Sequence, residues 1–139
     1  TWTDDSQRMC AGGEGKDMFA KAVLASSGSK CGELPGPSKK ITSMTMKPKP
    51  YKLAMSGENY EIFIYEGVPF KSLKTLSGVH NNFINKVAFN PTGSILASVS
   101  SDKTIVFHSS ETWEVAQKIE KAHTKGIIDC EWIDDDTLI

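Results

Sequence analysis

Apolar residues recur at intervals of 44, 43 and 43 residues along this chain. These anchors are Trp2, Met46, Phe89 and Trp132. A second apolar residue follows each anchor after seven positions, and these residues are Met9, Leu53, Leu96 and Ile139. A repeat of this length, built from strand-like segments, is the signature of a β-propeller, in which each repeat supplies about one four-stranded blade.

The residues around the anchors alternate as they do in half-buried strands. In the last repeat, Ile128, Cys130 and Trp132 lie on one face of the predicted strand, and Asp129 and Glu131 lie on the other. Period-2 alternation of this kind places one face of a strand in a core. Turn-forming residues follow every anchor directly, and no segment has a sustained helical period. An all-β fold is therefore predicted.

The repeat also predicts the domain organisation. Repeat units are expected at about 1–38, 39–81, 82–124 and 125–139, with the last unit incomplete. About three four-stranded antiparallel blades fit in this length, whereas closed propellers need at least about four. We therefore expect one continuous array of blades from a larger, seven-bladed propeller.

Composition excludes several classes of function. The formal net charge is -1, so the chain has no broad basic field of the kind that binds nucleic acid. The longest apolar run is far shorter than the roughly 20 residues of a membrane span. Three cysteines cannot all pair, which favours reduced thiols in the cytosol. The three histidines are widely spaced and form no recognisable metal site.

The third repeat contains the polar residues of a blade network. His80 precedes its first strand, Ser98 lies in its second strand, and Asp102 lies in the turn that follows. This set resembles the hydrogen-bond network of WD-repeat blades, in which such residues tie the edge of a blade to its inner strands. His80 and Asp102 could instead be a catalytic acid–base pair. The structural role is favoured because a buried His–Asp bond satisfies polar groups that burial would otherwise leave unpaired.

The chain departs from the WD-repeat pattern at the position where that family often has Trp-Asp. The third repeat has His108 there, the second has Tyr65, and Ala25 is assigned to this position in the first. Glycines before Asp17 are similar to those of a phosphate-binding loop, but Asp17 stands where such a loop needs Ser or Thr. A hairpin turn explains these glycines better. No cofactor is expected, and nothing in the sequence indicates an enzyme.

Four longer stretches, in one register, resemble the actin-interacting protein one family of WD-repeat proteins. They are residues 2–6, 13–19, 65–71 and 121–127, of which the third reads Tyr-Glu-Gly-Val-Pro-Phe-Lys. The resemblance implies an internal portion of the first of two propellers. It also implies a cytoplasmic protein of the actin cytoskeleton, with filamentous actin and cofilin as partners. Its activity would be cofilin-dependent disassembly of actin filaments.

The resemblance also implies an actin-binding surface on this part of the chain. Its residues are Asp17, Glu58, Lys71 and Phe83. Members of the family commonly have an aromatic residue directly after the lysine, where this chain has Ser72. Taken without the resemblance, the charged residues are ordinary solvated side chains and Phe83 is a core residue. Because hairpin ends gather on the rims of a propeller, Glu58, Lys71 and Phe83 are expected to share one exposed patch.

The sequence is also compatible with two other classes of function. The chain could belong to a WD-repeat scaffold, such as a substrate receptor, with no preference for actin. It could also belong to an enzyme built on a propeller, which would need polar residues that converge at the central channel. A scaffold and an actin-binding protein differ in whether they sediment with actin filaments, and that measurement separates them.

Overall fold

The computed structural model describes residues 1–16 and 18–139, which form eleven β-strands in three antiparallel sheets. The first sheet contains β1 (Arg8–Gly12), β2 (Ala20–Leu24) and β3 (Lys30–Glu33). The second contains β4 (Ile41–Lys47), β5 (Lys52–Gly57), β6 (Ile62–Glu66) and β7 (Lys71–Leu76). The third contains β8 (Ile84–Phe89), β9 (Ile95–Ser100), β10 (Ile105–Ser109) and β11 (Val115–Ile119). The predicted all-β fold with propeller blades is confirmed.

Strand pairing explains why an apolar residue follows each anchor after seven positions. Met46 pairs with Leu53 across β4 and β5, and Phe89 pairs with Leu96 across β8 and β9. Trp2 forms an isolated bridge to Met9 in β1. Trp2 therefore lies where the other sheets have their first strand, and β1 corresponds to a second strand. The first sheet has three strands, in the order β1-β2-β3, and the bridge of Trp2 marks the end of its first strand.

The second sheet is buried on both faces. One apolar cluster joins it to the first sheet, and its members from β5 and β6 are Leu53, Met55, Phe63 and Tyr65. The other cluster joins it to the third sheet, and its members from the same strands are Ala54, Ile62 and Ile64. Side chains alternate between the two faces of a strand, so strands buried on both faces are almost continuously apolar. This explains the apolar runs of β5 and β6.

Hydroxyl side chains of β4 join the second sheet to the third. The Thr42 hydroxyl donates to the carbonyl of Ile84 over 2.5 Å, and the Val87 amide donates to the Ser43 hydroxyl over 3.2 Å. These bonds satisfy backbone groups of β8 that face the neighbouring sheet instead of a paired strand. The first strands of the two sheets therefore lie close together, which keeps the sheets stacked side by side.

Turns and connections gather at two opposite rims of the stacked sheets. The first rim contains the connections that enter the second and third sheets and the turns after β5 and β9, at residues 34–40, 77–83, 58–61 and 101–104. The second rim contains the remaining turns of these sheets, at residues 48–51, 67–70, 90–94 and 110–114. This division follows from antiparallel pairing, because consecutive strands end at opposite edges of a sheet.

The last repeat does not form the predicted strand. Trp132 makes only an isolated bridge to Leu138, and Ile128, which was expected to be buried, is 80% exposed. No sheet of the described residues covers the side on which Ile128 lies. Trp132 is held instead through its indole nitrogen, which donates to the carbonyl of Ala88 over 3.1 Å, and through an edge contact with the Phe107 ring. The segment therefore lies along β8 without joining a sheet.

Nothing in the described part of the chain resembles a membrane-crossing helix, since no helix there is both long and apolar enough.

Candidate partner-binding rim and the network beneath it

Two of the predicted actin-binding residues lie on the first rim. Glu58 is half-buried in the turn after β5, and its backbone amide donates to the carbonyl of Lys40 over 3.1 Å. Phe83 is 40% exposed at the end of the connection that enters the third sheet. The Tyr60 ring links these two sites, because it lies in the turn of Glu58 with its centroid 5.6 Å from that of Phe83.

Lys71 lies on the opposite rim, so the expected single patch is wrong. Lys71 pairs with Glu66 at the far end of β6, whereas the turn of Glu58 adjoins Ile62 at the near end. At about 3.3 Å per residue, β6 alone separates the two ends by roughly 13 Å or more. A surface formed by Glu58 and Phe83 therefore does not include the exposed Lys71. Asp17, the fourth predicted contact, lies outside the described residues.

Lys71 has its own surroundings on the second rim. A groove of about 490 Å³ runs between the turn at 48–51 and the turn at 67–70, and Lys71 lines it together with Lys52 and Val68. The Lys52 ammonium lies 5.2 Å from the centroid of the Trp113 ring, within the range of a cation–π contact. The second rim thus presents cations beside apolar side chains.

Hydrogen bonds connect the predicted network residues beneath the first rim. The Nε2 atom of His80 lies 2.8 Å from the Ser98 hydroxyl, and its Nδ1 atom lies 3.2 Å from a carboxylate oxygen of Asp102. The Thr104 hydroxyl, which the sequence did not single out, lies 2.8 Å from Nδ1 and donates to Asp102 over 2.6 Å. A neutral imidazole has one N–H, so an Nδ1–H directed at Asp102 leaves Nε2 to accept from Ser98.

The two ionisable members of the network have perturbed acidities. Burial lowers the pKa of His80, while the attraction of Asp102 opposes that shift. Burial raises the pKa of Asp102, but hydrogen bonds from Thr104 and from the Asn81 amide outweigh it and hold this pKa at about 2. Asp102 is therefore ionised near neutral pH. Its carboxylate accepts hydrogen bonds from both the entering connection and the turn after β9, so it ties the two together.

His108 lies beside this network, and among the described residues neither of its ring nitrogens has a hydrogen-bond partner. It is fully buried in β10, where it pairs with Leu96 of β9. Burial lowers its pKa to about 4, and the nearby His80 adds to the shift. The imidazole is therefore neutral near pH 7.

Tyr65 occupies the position in the second sheet that His108 occupies in the third. Leu53 pairs with Tyr65, as Leu96 pairs with His108. In the first sheet Met9 pairs with Val23, so Val23 corresponds to this position and the assignment of Ala25 is wrong. The connection between β1 and β2 spans seven residues, at 13–19, whereas the turns after β5 and β9 span four each, and counting from the sequence alone misses this difference.

The described residues were also compared with the ligand sets that bind metal ions. Within residues 1–16 and 18–139, no three His, Cys, Asp or Glu side chains are grouped so that they could hold a metal ion. Of the glycines before Asp17, Gly12 ends β1 and the others follow it, and the Gly13 amide donates to the carbonyl of Phe19 over 2.9 Å. This is the closing bond of a hairpin connection, as the spacing predicted.

Comparison with known proteins identifies the repeat. The family profile described as "WD domain, G-beta repeat" matches residues 70–109, which extend from the turn before β7 to the end of β10. This is a WD-repeat chain. A chain in the crystal structure of a mitotic checkpoint complex superposes on it with a TM-score of 0.79. That match is 16% identical in sequence and covers 95% of this chain and 39% of the other, so it shows the fold alone.

Closer relatives confirm the resemblance to the actin-interacting protein one family. WD repeat-containing protein 1 of Mus musculus is 37% identical over 139 residues, which is 98% of this chain and 23% of that protein. Actin-interacting protein 1-2 of Arabidopsis thaliana is 39% identical over 116 residues, which is 82% of this chain and 19% of that protein. This WD-repeat chain thus spans about a fifth of the length of the relatives that it matches. Neither name describes a catalytic activity.

Proposed function

We propose that this WD-repeat chain is part of a non-catalytic, actin-filament-binding protein that promotes cofilin-dependent disassembly of filaments. The observation that carries the proposal is the 37% identity across 98% of the chain to WD repeat-containing protein 1, together with an equally similar relative named for interaction with actin. Partners would be filamentous actin and cofilin, and the protein would act in the cytoplasm, on the actin cytoskeleton.

The first rim supplies a suitable contact surface. Most of the energy of an interface comes from a few aromatic or charged anchors that lose contact with water on binding. Phe83 is such an anchor, and it is accompanied by the Glu58 carboxylate in a neighbouring turn. Charges around an apolar anchor fix the register of a partner whose surface has a complementary pattern. We assign actin contact to Glu58 and Phe83 as one surface.

Lys71 and Asp17 are proposed as additional actin contacts. Because Lys71 lies on the second rim, it would meet a different element of a cofilin-decorated filament from the one that Glu58 meets. Disassembly would then be a binding effect, in which the protein stabilises filament ends or sides that cofilin has altered. No bond of the filament need be broken by chemistry at any of these residues.

Sedimentation with actin filaments tests the proposal. The full-length protein should enter the pellet with cofilin-decorated filaments and increase the actin left in the supernatant. Glu58→Ala and Lys71→Ala should each reduce both effects with little change in thermal stability, because surface substitutions usually change stability by less than about 0.5 kcal/mol. Glu111→Ala, an exposed acid in the turn at 110–114, is the matched control for Glu58.

Two outcomes would contradict the proposal at different levels. If the protein stayed in the supernatant both with and without cofilin, the cytoskeletal function would be lost and a general WD-repeat scaffold would be favoured. If the protein sedimented normally but Glu58→Ala and Lys71→Ala behaved like Glu111→Ala, only the site assignment would be lost.

A further inference from the structure

Tyr60 is an exposed aromatic residue that has no core to fill. It stands in the turn after β5 with a φ of 65° and with 39% of its surface exposed. Its ring meets the Phe83 ring at a centroid distance of 5.6 Å and an interplanar angle of 54°. The two residues belong to different sheets, so their contact bridges the gap between neighbouring blades at the first rim.

We propose that Tyr60 and Phe83 form one aromatic platform that binds an apolar side chain of the filament, with Tyr60 as a direct contact. The proposal rests on the proposed function and adds to it a residue that the family resemblance does not assign. Paired aromatic rings are favourable in a tilted arrangement, and each ring here keeps a face or edge open to a partner. A partner that covered both rings would bury more apolar area than one that covered Phe83 alone.

The backbone beneath both rings is fixed before any partner binds. The Asn59 side chain donates to Glu61 over 2.7 Å across the turn that carries Tyr60. The Phe83 carbonyl accepts from the Ser101 amide over 3.0 Å, and the Phe83 amide donates to the Asn82 side chain over 2.8 Å. A contact surface that is already ordered loses less conformational entropy on binding, which favours affinity.

The charge of Glu58, beside the platform, indicates which residue of the partner lies next to the bound apolar side chain. Glu58 lies two residues before Tyr60, and none of the ion pairs among the described residues involves it. Its carboxylate can therefore receive a basic group. We commit to an exposed apolar side chain that stands next to Lys or Arg on the surface of the actin filament.

Five variants of the full-length protein, one of which is Phe83→Ala, test the platform in sedimentation with cofilin-decorated actin filaments. Tyr60→Ala should weaken binding about tenfold, as expected for an anchor residue, while Tyr60→Phe should retain most of it. Leu73→Ala is the matched control, because Leu73 is 38% exposed within the edge strand β7, outside the turns of both rims. The double variant of Tyr60 and Phe83 should lose less affinity than the product of the two single losses, because residues in contact do not act independently.

The outcomes separate this inference from the function on which it rests. If Tyr60→Ala bound as tightly as the unsubstituted protein, or if Leu73→Ala weakened binding equally, the platform would be overturned while the function stood. If Tyr60→Ala also lowered the melting temperature by several degrees, loss of folding would replace loss of contact as the cause, and the platform would again be overturned. If the unsubstituted protein did not bind filaments, the function would fail and this inference with it.

Discussion

The second and third sheets fasten their entering connections in different ways. In the second sheet, the Tyr65 hydroxyl donates to the carbonyl of Pro35 over 2.5 Å. In the third sheet, His80 comes from the connection itself and bonds to Ser98 and Asp102. One aromatic hydroxyl thus does in one blade what a polar network does in the next.

Strand register shows why the two solutions exclude each other. With Leu53 aligned to Leu96, Met55 takes the place of Ser98, so the second sheet has no hydroxyl at that position for a histidine to meet. The connection there approaches the sheet closely instead. At Gly36, whose φ is 124°, a Cβ would lie 2.9 Å from the Phe63 ring, so a larger residue would push the connection outward.

The second and third sheets are expected to differ in how much their stability depends on pH. The interior of the second sheet holds Met55 and a tyrosine whose pKa is raised by burial, so nothing in it gains a proton between pH 7 and pH 4. The third sheet holds His80 and His108, both buried and both with a lowered pKa. The third sheet, which buries two histidines, is therefore expected to be more sensitive to acid than the second sheet.

The largest expected effect is loss of stability of the third sheet at mildly acid pH. The pKa of His108 is about 4 in the folded protein and 6.5 as its ordinary value, so the unfolded chain binds the proton first as pH falls. The free energy of unfolding that depends on neutral His108 is fully present above about pH 6.5. It declines below that pH and levels off below about pH 4. The loss should be on the order of 3 kcal/mol, at about 1.36 kcal/mol per pKa unit.

Hydrogen exchange at pH 7 and pH 4.5, corrected for intrinsic rates, measures this effect sheet by sheet. Protection should fall in β8–β11 and persist in β4–β7. His108→Phe, which keeps a buried ring but cannot titrate, should remove most of the decline. Equal loss of protection in both sheets would show that the histidines do not set acid sensitivity.

A smaller effect is expected when the polar network is broken at neutral pH. Asp102→Ala leaves His80 and the amides of Asn81 and Thr104 without their acceptor, which should destabilise the protein by about 1–3 kcal/mol. Filament sedimentation by the folded protein should be unchanged, since the network lies beneath the rim. A variant of normal stability that no longer bound filaments would instead assign Asp102 a direct role.

The fold could be predicted because the repeat of apolar residues follows directly from strand pairing. Met46 and Phe89 each pair with the residue seven positions later, so the spacing of apolar residues carries the register. The hydrogen-bond network could be predicted equally well, since His80, Ser98 and Asp102 occupy fixed places in one repeat. By contrast, the equivalent of Tyr65 in the first sheet was misplaced, because the connection before β2 is three residues longer than the turns before β6 and β10.

The arrangement of the candidate site could be predicted only in part. Placing Lys71 with Glu58 overlooked that consecutive turns of an antiparallel sheet lie at opposite rims, which the predicted strand order already implied. Tyr60 was missed for another reason. The signal was an aromatic residue within a polar turn, but the contact with Phe83 depends on a positive φ at Tyr60 and on the stacking of two sheets. Neither can be read from local sequence.

The smallest expected effect comes from breaking the bond of the second sheet. Tyr65→Phe removes only the hydroxyl that meets Pro35, and since Pro35 is exposed, water can take the place of the lost donor. The expected cost is about 0.5–1.5 kcal/mol, the net value of a typical hydrogen bond. Hydrogen exchange should rise at residues 34–40 and not at 77–83. Tyr60→Phe, whose hydroxyl is in no hydrogen bond among the described residues, is the control and should leave both connections unchanged. A cost for Tyr65→Phe above that of Asp102→Ala would mean that the single hydroxyl, and not the apolar packing around it, closes the second sheet.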